Sequence, residues 1–333
     1  THECSSAASD VYKRQHFIWG KSEGGSDMDH ASAVCIDANG NVCITGGFNG
    51  VADFDPDAGV NNLTSQGFSD IFIQKLDASG GFVWAKQMGS NGSDGGSSIT
   101  ADENGDLYVA GNFMGAVDFD PSGGTTVLTS VGFADAFVLK LNPGGDLLWA
   151  KDMGGDSFTA AEIVHVLSNG EVLSVGTFQG TSDFDPSNGS DSLTSQGFSD
   201  IFMQLLDANG NYLWTEQIGG TSYDLIGGVD IDNGGAIYTT GSFIGTVDFS
   251  PFSPSNDVLT SVGIDDVFVQ KLHVLYAGLS EGVNGQPFSI YPNPSKGDVF
   301  IDLGAELTDV KVNVMSAQGS LIYSQEYANA GLI

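Results

Sequence analysis

Short runs of alternating apolar and polar positions recur along the chain, each closed by a cluster of Gly, Asn, Asp or Pro. Phe137, Leu139 and Leu141 share one face of such a run, and Val299, Ile301 and Leu303 share another. This period of two, with turn residues at its ends, predicts β-strands joined by tight hairpins. The segment SSITADENGDLYVAGNF reads as strand, turn at Glu103-Asn104-Gly105, strand. The segment ADAFVLKLNPGGDLLWAKDMG reads as strand, turn at Pro143-Gly144-Gly145, strand. Turns such as Ala38-Asn39-Gly40 suit a three-residue loop with glycine in the left-handed region. Between the two hairpins lies an excursion, residues 115–132, whose polarity predicts a place outside the core.

The pattern repeats every 65 residues. Trp19, Trp84, Trp149 and Trp214 keep this step, and so do Asp53, Asp118, Asp183 and Asp248 of an Asp-Phe-(Asp/Ser)-Pro motif. A G-x-F-x-G element recurs at Phe48, Phe113, Phe178 and Phe243, and a further phenylalanine at Phe72, Phe137, Phe202 and Phe268. Fifteen of the 21 phenylalanines occupy four repeat positions, which predicts one packing role used again and again. Four antiparallel strands per unit, repeated radially, make a β-propeller blade. The fold class expected is therefore all-β: a β-propeller of four 65-residue, four-stranded blades, or a piece of a larger propeller. The blades are bounded at about 17–81, 82–146, 147–211 and 212–276. The fourth copy ends KLHVLYAG and lacks an outer strand of its own, which Phe17-Ile18-Trp19-Gly20-Lys21 could supply.

The combined motif resembles the bacterial β-propeller repeats common in secreted Bacteroidetes proteins. After a linker at 277–287, residues 288–333 alternate again at Val310, Val312 and Val314, as in a small immunoglobulin-like sandwich. Tyr291, Pro292, Asn293 and Pro294 with Gly297, followed by V-x-V, resemble the C-terminal sorting domain of the type IX secretion system. The resemblance implies the type IX machinery as a partner and a secreted or outer cell-surface location. It covers about half of such a domain. Residues 1–16 contain SSAASDVYKRQ, which resembles a translated sequencing adapter, so the expectation is a fragment cut at both ends with a non-native leader.

Composition narrows the partners. Forty-two acidic residues against 10 basic ones give a net charge of −32. Such a surface repels phosphate backbones and anionic lipid, which excludes nucleic acid. No apolar run approaches the roughly 20 residues of a membrane span. Charged residues are only 16% of the chain, and 47 glycines accord with many turns.

Candidate chemistry is acidic. Asp53 with Asp55, Asp118 with Asp120, and Asp183 with Asp185 place two carboxylates on one side of an extended segment, as hard-cation ligands would be. Calcium is the candidate cofactor there; the other reading is that these aspartates accept backbone N–H groups in turns. The fourth copy has Ser250 at the second position and should bind worst. Asp70, Asp135, Asp200 and Asp265 or Asp266 precede a phenylalanine-bearing strand, where capping outweighs binding. The repeated tryptophans read as packing residues, with sugar stacking the sharper alternative. A three-residue turn pairing Asp37 with Asn41 brings Cys35 opposite Cys43, a candidate disulfide in an oxidising compartment. Val34, Ile36, Val42 and Ile44 then share the other face.

Enzyme signatures are missing, and the histidines show no metal-ligand spacing. The expected role is a non-catalytic scaffold that binds extracellular glycan or protein. The alternative is an extracellular hydrolase or lyase using acidic residues near the propeller channel, which requires one repeat to carry unique polar residues. The outliers His165, Glu162 and Asp224 form no recognisable set in the sequence.

Overall fold

The computed structural model describes residues 16–187, 189–232, 234–250, 257–273, 289–291, 300–315 and 321–332. Every element among them is a strand. The chain divides into two compact units, Thr1–Ser130 with Ala134–Asp152, and Val131–Phe133 with Met153–Ile333.

In the first unit one sheet runs in sequence order through Asp29–Ile36, Val42–Phe48, Asp70–Leu76 and Phe82–Met88. A second begins with Gly95–Ala101, Leu107–Phe113 and Asp135–Leu141 and continues into Leu147–Gly155. The second unit holds a sheet of Thr159–Val166, Val172–Phe178, Asp200–Leu206 and Tyr212–Ile218. Its next sheet has three described strands, Asp224–Ile231, Ala236–Phe243 and Asp266–His273. Three further antiparallel strands, Ser289–Tyr291, Phe300–Met315 and Leu321–Leu332, follow. The first three sheets therefore each include, after their third strand, the Trp-bearing strand that the 65-residue boundaries assign to the following repeat. The linker 277–287 lies outside the described residues.

Residues 17–21 form no strand, yet they make a Trp strand's onward contacts. The Trp19 indole donates to the carbonyl of Ala78 at 3.3 Å, as the Trp84 indole donates to Pro143 at 3.2 Å. Gly24–Gly25 pairs with Ala52 and Asp53 just as Gly154 and Gly155 pair with Asp183 and Ser182.

The excursion between the hairpins is not outside the core, contrary to its polar sequence. It folds into its own small hairpin, Val51–Asp53 with Asn62–Thr64 in the first repeat, and drives one phenylalanine inward. Phe54 lies 5.2 Å from Phe48 at 85° and 4.8 Å from Phe72. The trios Phe113-Phe119-Phe137, Phe178-Phe184-Phe202 and Phe243-Phe249-Phe268 repeat it. All twelve rings are buried. Edge-to-face and tilted contacts suit the ring quadrupoles better than a direct sandwich. Buried glutamines fasten three of the trios: Gln74, Gln204 and Gln270 donate to the carbonyls of Phe54, Phe184 and Phe249 at 2.6–2.7 Å.

Candidate functional site

The Asp-Phe-Asp-Pro loops are built around carboxylates that accept from backbone. Asp53 Oδ1 accepts from the N–H groups of Asp55 at 3.0 Å and Asn61 at 2.8 Å. Asp118 does the same with Asp120 and Thr126, and Asp183 with Asp185 and Asp191. Asp248 accepts from Ser250 at 2.9 Å. The second aspartate starts a further turn: Asp55 accepts from Asp57, Asp120 from Ser122 and Asp185 from Ser187, each at 2.9 Å. Its other oxygen lies over a glycine four residues on. A Cβ at Gly59 would sit 2.0 Å from Asp55 Oδ2, and one at Gly124 or Gly189 would sit 2.1 Å from Asp120 or Asp185. The fourth repeat has Ser250 and Pro254 at these two places, so carboxylate and glycine are lost together. Among the described residues no three His, Cys, Asp or Glu side chains converge as a metal site.

The second acidic ring caps. Asp70 accepts from the N–H groups of Gln66 and Gly67 and from Gln87 Nε2 at 2.7 Å. Asp200 accepts from Gln196 N at 2.9 Å and Gln217 Nε2 at 2.6 Å. Asp135 holds the same register, opposite Phe113. In the fourth repeat the register opposite Phe243 selects Asp266, which accepts from Val262 N at 3.0 Å. A companion ring escaped the sequence. Asp29 and Asp224 open the first strand of their sheets, Asp94 immediately precedes its own, and Thr159 holds the place in the third. Asp94 accepts from Ser90 at 2.6 Å and Met114 at 2.7 Å, and Asp224 from Gly220 at 2.7 Å. Burial raises the carboxyls of Asp94, Asp200 and Asp224 despite these bonds. Their 65-residue spacing was the available signal.

Trp19 and Trp84 clamp onto the next hairpin along the chain. Beyond its bond to Pro143, the Trp84 ring covers Gly145, where a Cβ would lie 3.2 Å from it. Gly145 also has φ 82°, so turn and clamp both demand glycine there. A ring used this way leaves sugar stacking little free face.

Not every repeated phenylalanine is core, and this corrects the single packing role. Phe68, Phe133 and Phe198 are 77, 63 and 64% exposed. Phe198 stacks on Tyr223, centroids 5.0 Å apart and planes 7° apart, and Phe133 lies 6.5 Å from Phe158.

Cys35 and Cys43 face each other across the predicted register, with Asp37 N bonded to Asn41 O at 2.9 Å. Both are free thiols, and their mutual hydrogen bond is the largest influence on Cys35, raising it. Val34 and Ile36 on the other face are exposed, whereas Ile99, the second repeat's counterpart of Val34, is buried. Beside Cys43, Lys75 Nζ sits 2.7 Å from Asp37 Oδ2. Burial would raise Asp37, but hydrogen bonds from Lys75, Asn41 and Asn39 outweigh it and bring the carboxyl down to about 2.

The outlier Glu162 occupies a bulge in Thr159–Val166, where burial raises its carboxyl and Thr177 Oγ1 donates to it at 2.7 Å. His165 Nε2 lies 3.1 Å from the carbonyl oxygen of Val229. Glu216, standing where other repeats have Lys86 and Lys151, is pushed up to about 7 by burial. Tyr291 ends the strand Ser289–Tyr291. Pro292, Asn293, Pro294 and Gly297 lie outside the described residues.

A beta-propeller repeat family matches residues 83–112, and a secretion system C-terminal sorting domain matches residues 289–332. The chain is 25% identical over 230 residues to an uncharacterized WD repeat-containing protein of Acanthamoeba polyphaga mimivirus, covering 61% of this chain and 16% of that protein. It is 26% identical over 113 residues to the regulatory protein FlaEY of Caulobacter vibrioides, covering 33% and 12%. The chain thus spans less than a fifth of either relative's length. A crystal structure of a protein of unknown function from Bacteroides caccae aligns over 91% of this chain and 85% of that one, with 8% identity and a TM-score of 0.34. The chain combines a β-propeller repeat with a secretion-system C-terminal sorting domain, and is marked for export to the cell surface or beyond it.

Proposed function

We propose that this chain is an exported, acidic scaffold that binds an extracellular glycan through its loops and catalyses no reaction on it. The observation supporting this reading is that the repeats use their carboxylates alike. Asp53, Asp118, Asp183 and Asp248 each accept a loop backbone N–H at Oδ1, and Asp70, Asp200 and Asp266 each cap a turn. A single catalytic centre needs one repeat to differ from the rest. A multivalent binder gains from repeats that are alike, because linked weak sites reinforce one another. The sorting domain makes the type IX machinery the first partner, before any glycan.

One observation favours the second reading, a hydrolase or lyase. All four repeats bulge at this point of the strand, and only the third places a carboxylate there, Glu162, where the others have Ser32, Ser97 and Gly227; bulges re-aim side chains and are frequent beside active sites. Burial raises the Glu162 carboxyl, the direction a general acid needs. Affinity electrophoresis of the full chain in gels holding neutral polysaccharides separates the two. The scaffold is retarded and leaves the polysaccharide intact. Release of new reducing ends, lost in Glu162→Gln, would replace it with the enzyme.

A further inference from the structure

Phe198 and Tyr223 are held open by backbone structure. Phe198 N donates to Ser222 O at 2.9 Å, Ser199 bridges Tyr223 in parallel, and Asp224 N donates to Ser199 O at 2.8 Å. Asp200 anchors one arm through Gln196, and Asp224 anchors the other through Gly220. The two rings stack nearly parallel while remaining 64 and 47% exposed. The repeat does not need this pair to fold. At the equivalent positions the first repeat sets Phe68 against Ser93, and the fourth has Ile264 in place of the phenylalanine. Two exposed rings stacked on each other make a contiguous apolar patch, and contiguous exposed apolar patches mark interaction sites.

The rim selects the partner. The residues next to the rings along the chain, Gln196, Thr221 and Ser222, carry neutral donors and acceptors. The neighbouring acids Asp200 and Asp224 are fully buried and turned to backbone, so neither offers a basic protein an exposed charge. Polyanions are repelled by the net charge of −32. A pyranose ring offers what remains: a face of C–H groups for the aromatic ring and hydroxyls for the rim. We propose that Phe198 and Tyr223 form a stacking platform for neutral sugar rings. The proposal rests on the glycan-binding reading and gives it an address.

The test uses the full chain in affinity electrophoresis against laminarin, mannan and xyloglucan, with a basic protein, lysozyme, as a competing partner. Wild type is retarded by at least one of the three. Phe198→Ala/Tyr223→Ala then loses about tenfold in affinity, the size expected from one lost aromatic contact. Tyr223→Phe, which keeps the stack, and Phe68→Ala, outside the pair, stay near wild type. Both rings are exposed, so the melting temperature of the double variant should match wild type; Phe198→Ser alone repeats the test if it does not. Retardation of the double variant equal to wild type overturns the platform and leaves the glycan reading standing. Failure of wild type with all three polysaccharides overturns both. Lysozyme binding that the double variant abolishes assigns the rings to a protein partner and overturns the proposal.

Discussion

Lys75 Nζ lies 2.7 Å from Asp37 Oδ2, and both side chains are buried. The second repeat keeps this relationship, with Lys140 3.0 Å from Asp106 and 3.8 Å from Asp102, and the fourth sets Lys271 3.9 Å from Asp232. The third discards both partners at once. Leu167 and Leu205 stand at the two positions, and Leu205 is fully buried among Leu173, Val175 and Met203. Acid and base are thus kept or replaced as a set, as the desolvation cost of a lone buried charge requires.

Lys75→Leu alone should therefore destabilise the chain by about 3–5 kcal/mol, because Asp37 is left charged and buried. Asp37→Leu/Lys75→Leu should recover most of that loss, although it removes more polar atoms. The residual deficit is the turn in which Asp37 accepts from Asn39 and Asn41 at 2.9 Å. Urea unfolding of the three proteins decides it. A double variant less stable than Lys75→Leu would refute the pairing.

The depressed Asp37 carboxyl also sets an acid limit. Held at about 2 against an ordinary value near 3.9, its contribution is complete above pH 4 and disappears as pH falls through 2. Melting temperatures between pH 2 and 5 should fall less steeply for the dileucine variant than for wild type. Equal slopes would place the acid sensitivity elsewhere.

The blade pattern was legible because strands of period two recur every 65 residues, and that spacing survives any error in a single strand's bounds. The Cys35–Cys43 register was legible for the same local reason, since a three-residue turn fixes the pairs that follow it. Two features were not. Phe54 belongs to a segment whose neighbours are nearly all polar, so window polarity hid one buried ring per repeat. Phe198 has the opposite history: its recurrence at 65 residues looks like a core position, and only its surroundings show it bare. Periodicity reports that a position matters and is silent on which side of the sheet or loop it faces.

Glu216 should make the chain less stable in mild alkali. Its carboxyl is raised to about 7 from an ordinary value near 4.3, so its favourable term is present below pH 4 and lost as pH climbs through 7. Glu216→Gln should match wild type at pH 4 and melt a few degrees higher at pH 8, at about 2–4 °C per kcal/mol. A gap that is constant across this range would remove burial of the charge as the cause.

Cys35 and Cys43 should close into a disulfide once the chain is outside the cell. They are direct partners in the hairpin, and the sulfurs already share a hydrogen bond. The loop they close is short, so the entropic stabilisation is only about 2–3 kcal/mol. Thiol counting on material folded under oxidising conditions should find both consumed, with a melting temperature that drops on adding reductant. Two titratable thiols in the oxidised sample would end the idea.

The Asp-Phe-Asp-Pro loop offers a test that separates its two chemistries. If Asp55 serves the turn, Gly59→Ala should destabilise by about 1–3 kcal/mol, the usual range for overpacking, because its Cβ would fall 2.0 Å from Asp55 Oδ2. Asp55→Ser/Gly59→Ala should then be milder than Gly59→Ala alone, since the serine of the fourth repeat accompanies the loss of its glycine. A calcium site predicts the reverse order. Removing Asp55 would strip a ligand, and the double variant would be the worst of the three in excess calcium. Melting wild type in EDTA and in calcium completes the set. A ligand at 100 times its dissociation constant adds about 2.7 kcal/mol, roughly 5–10 °C for a domain of this size. The hydrogen bonds that Asp53 and Asp55 already accept from the N–H groups of Asp55, Asn61 and Asp57 point to the first order and a flat calcium response. A calcium-dependent rise that Asp55→Ser abolishes would make these loops cation ligands, with the backbone bonds serving to aim them.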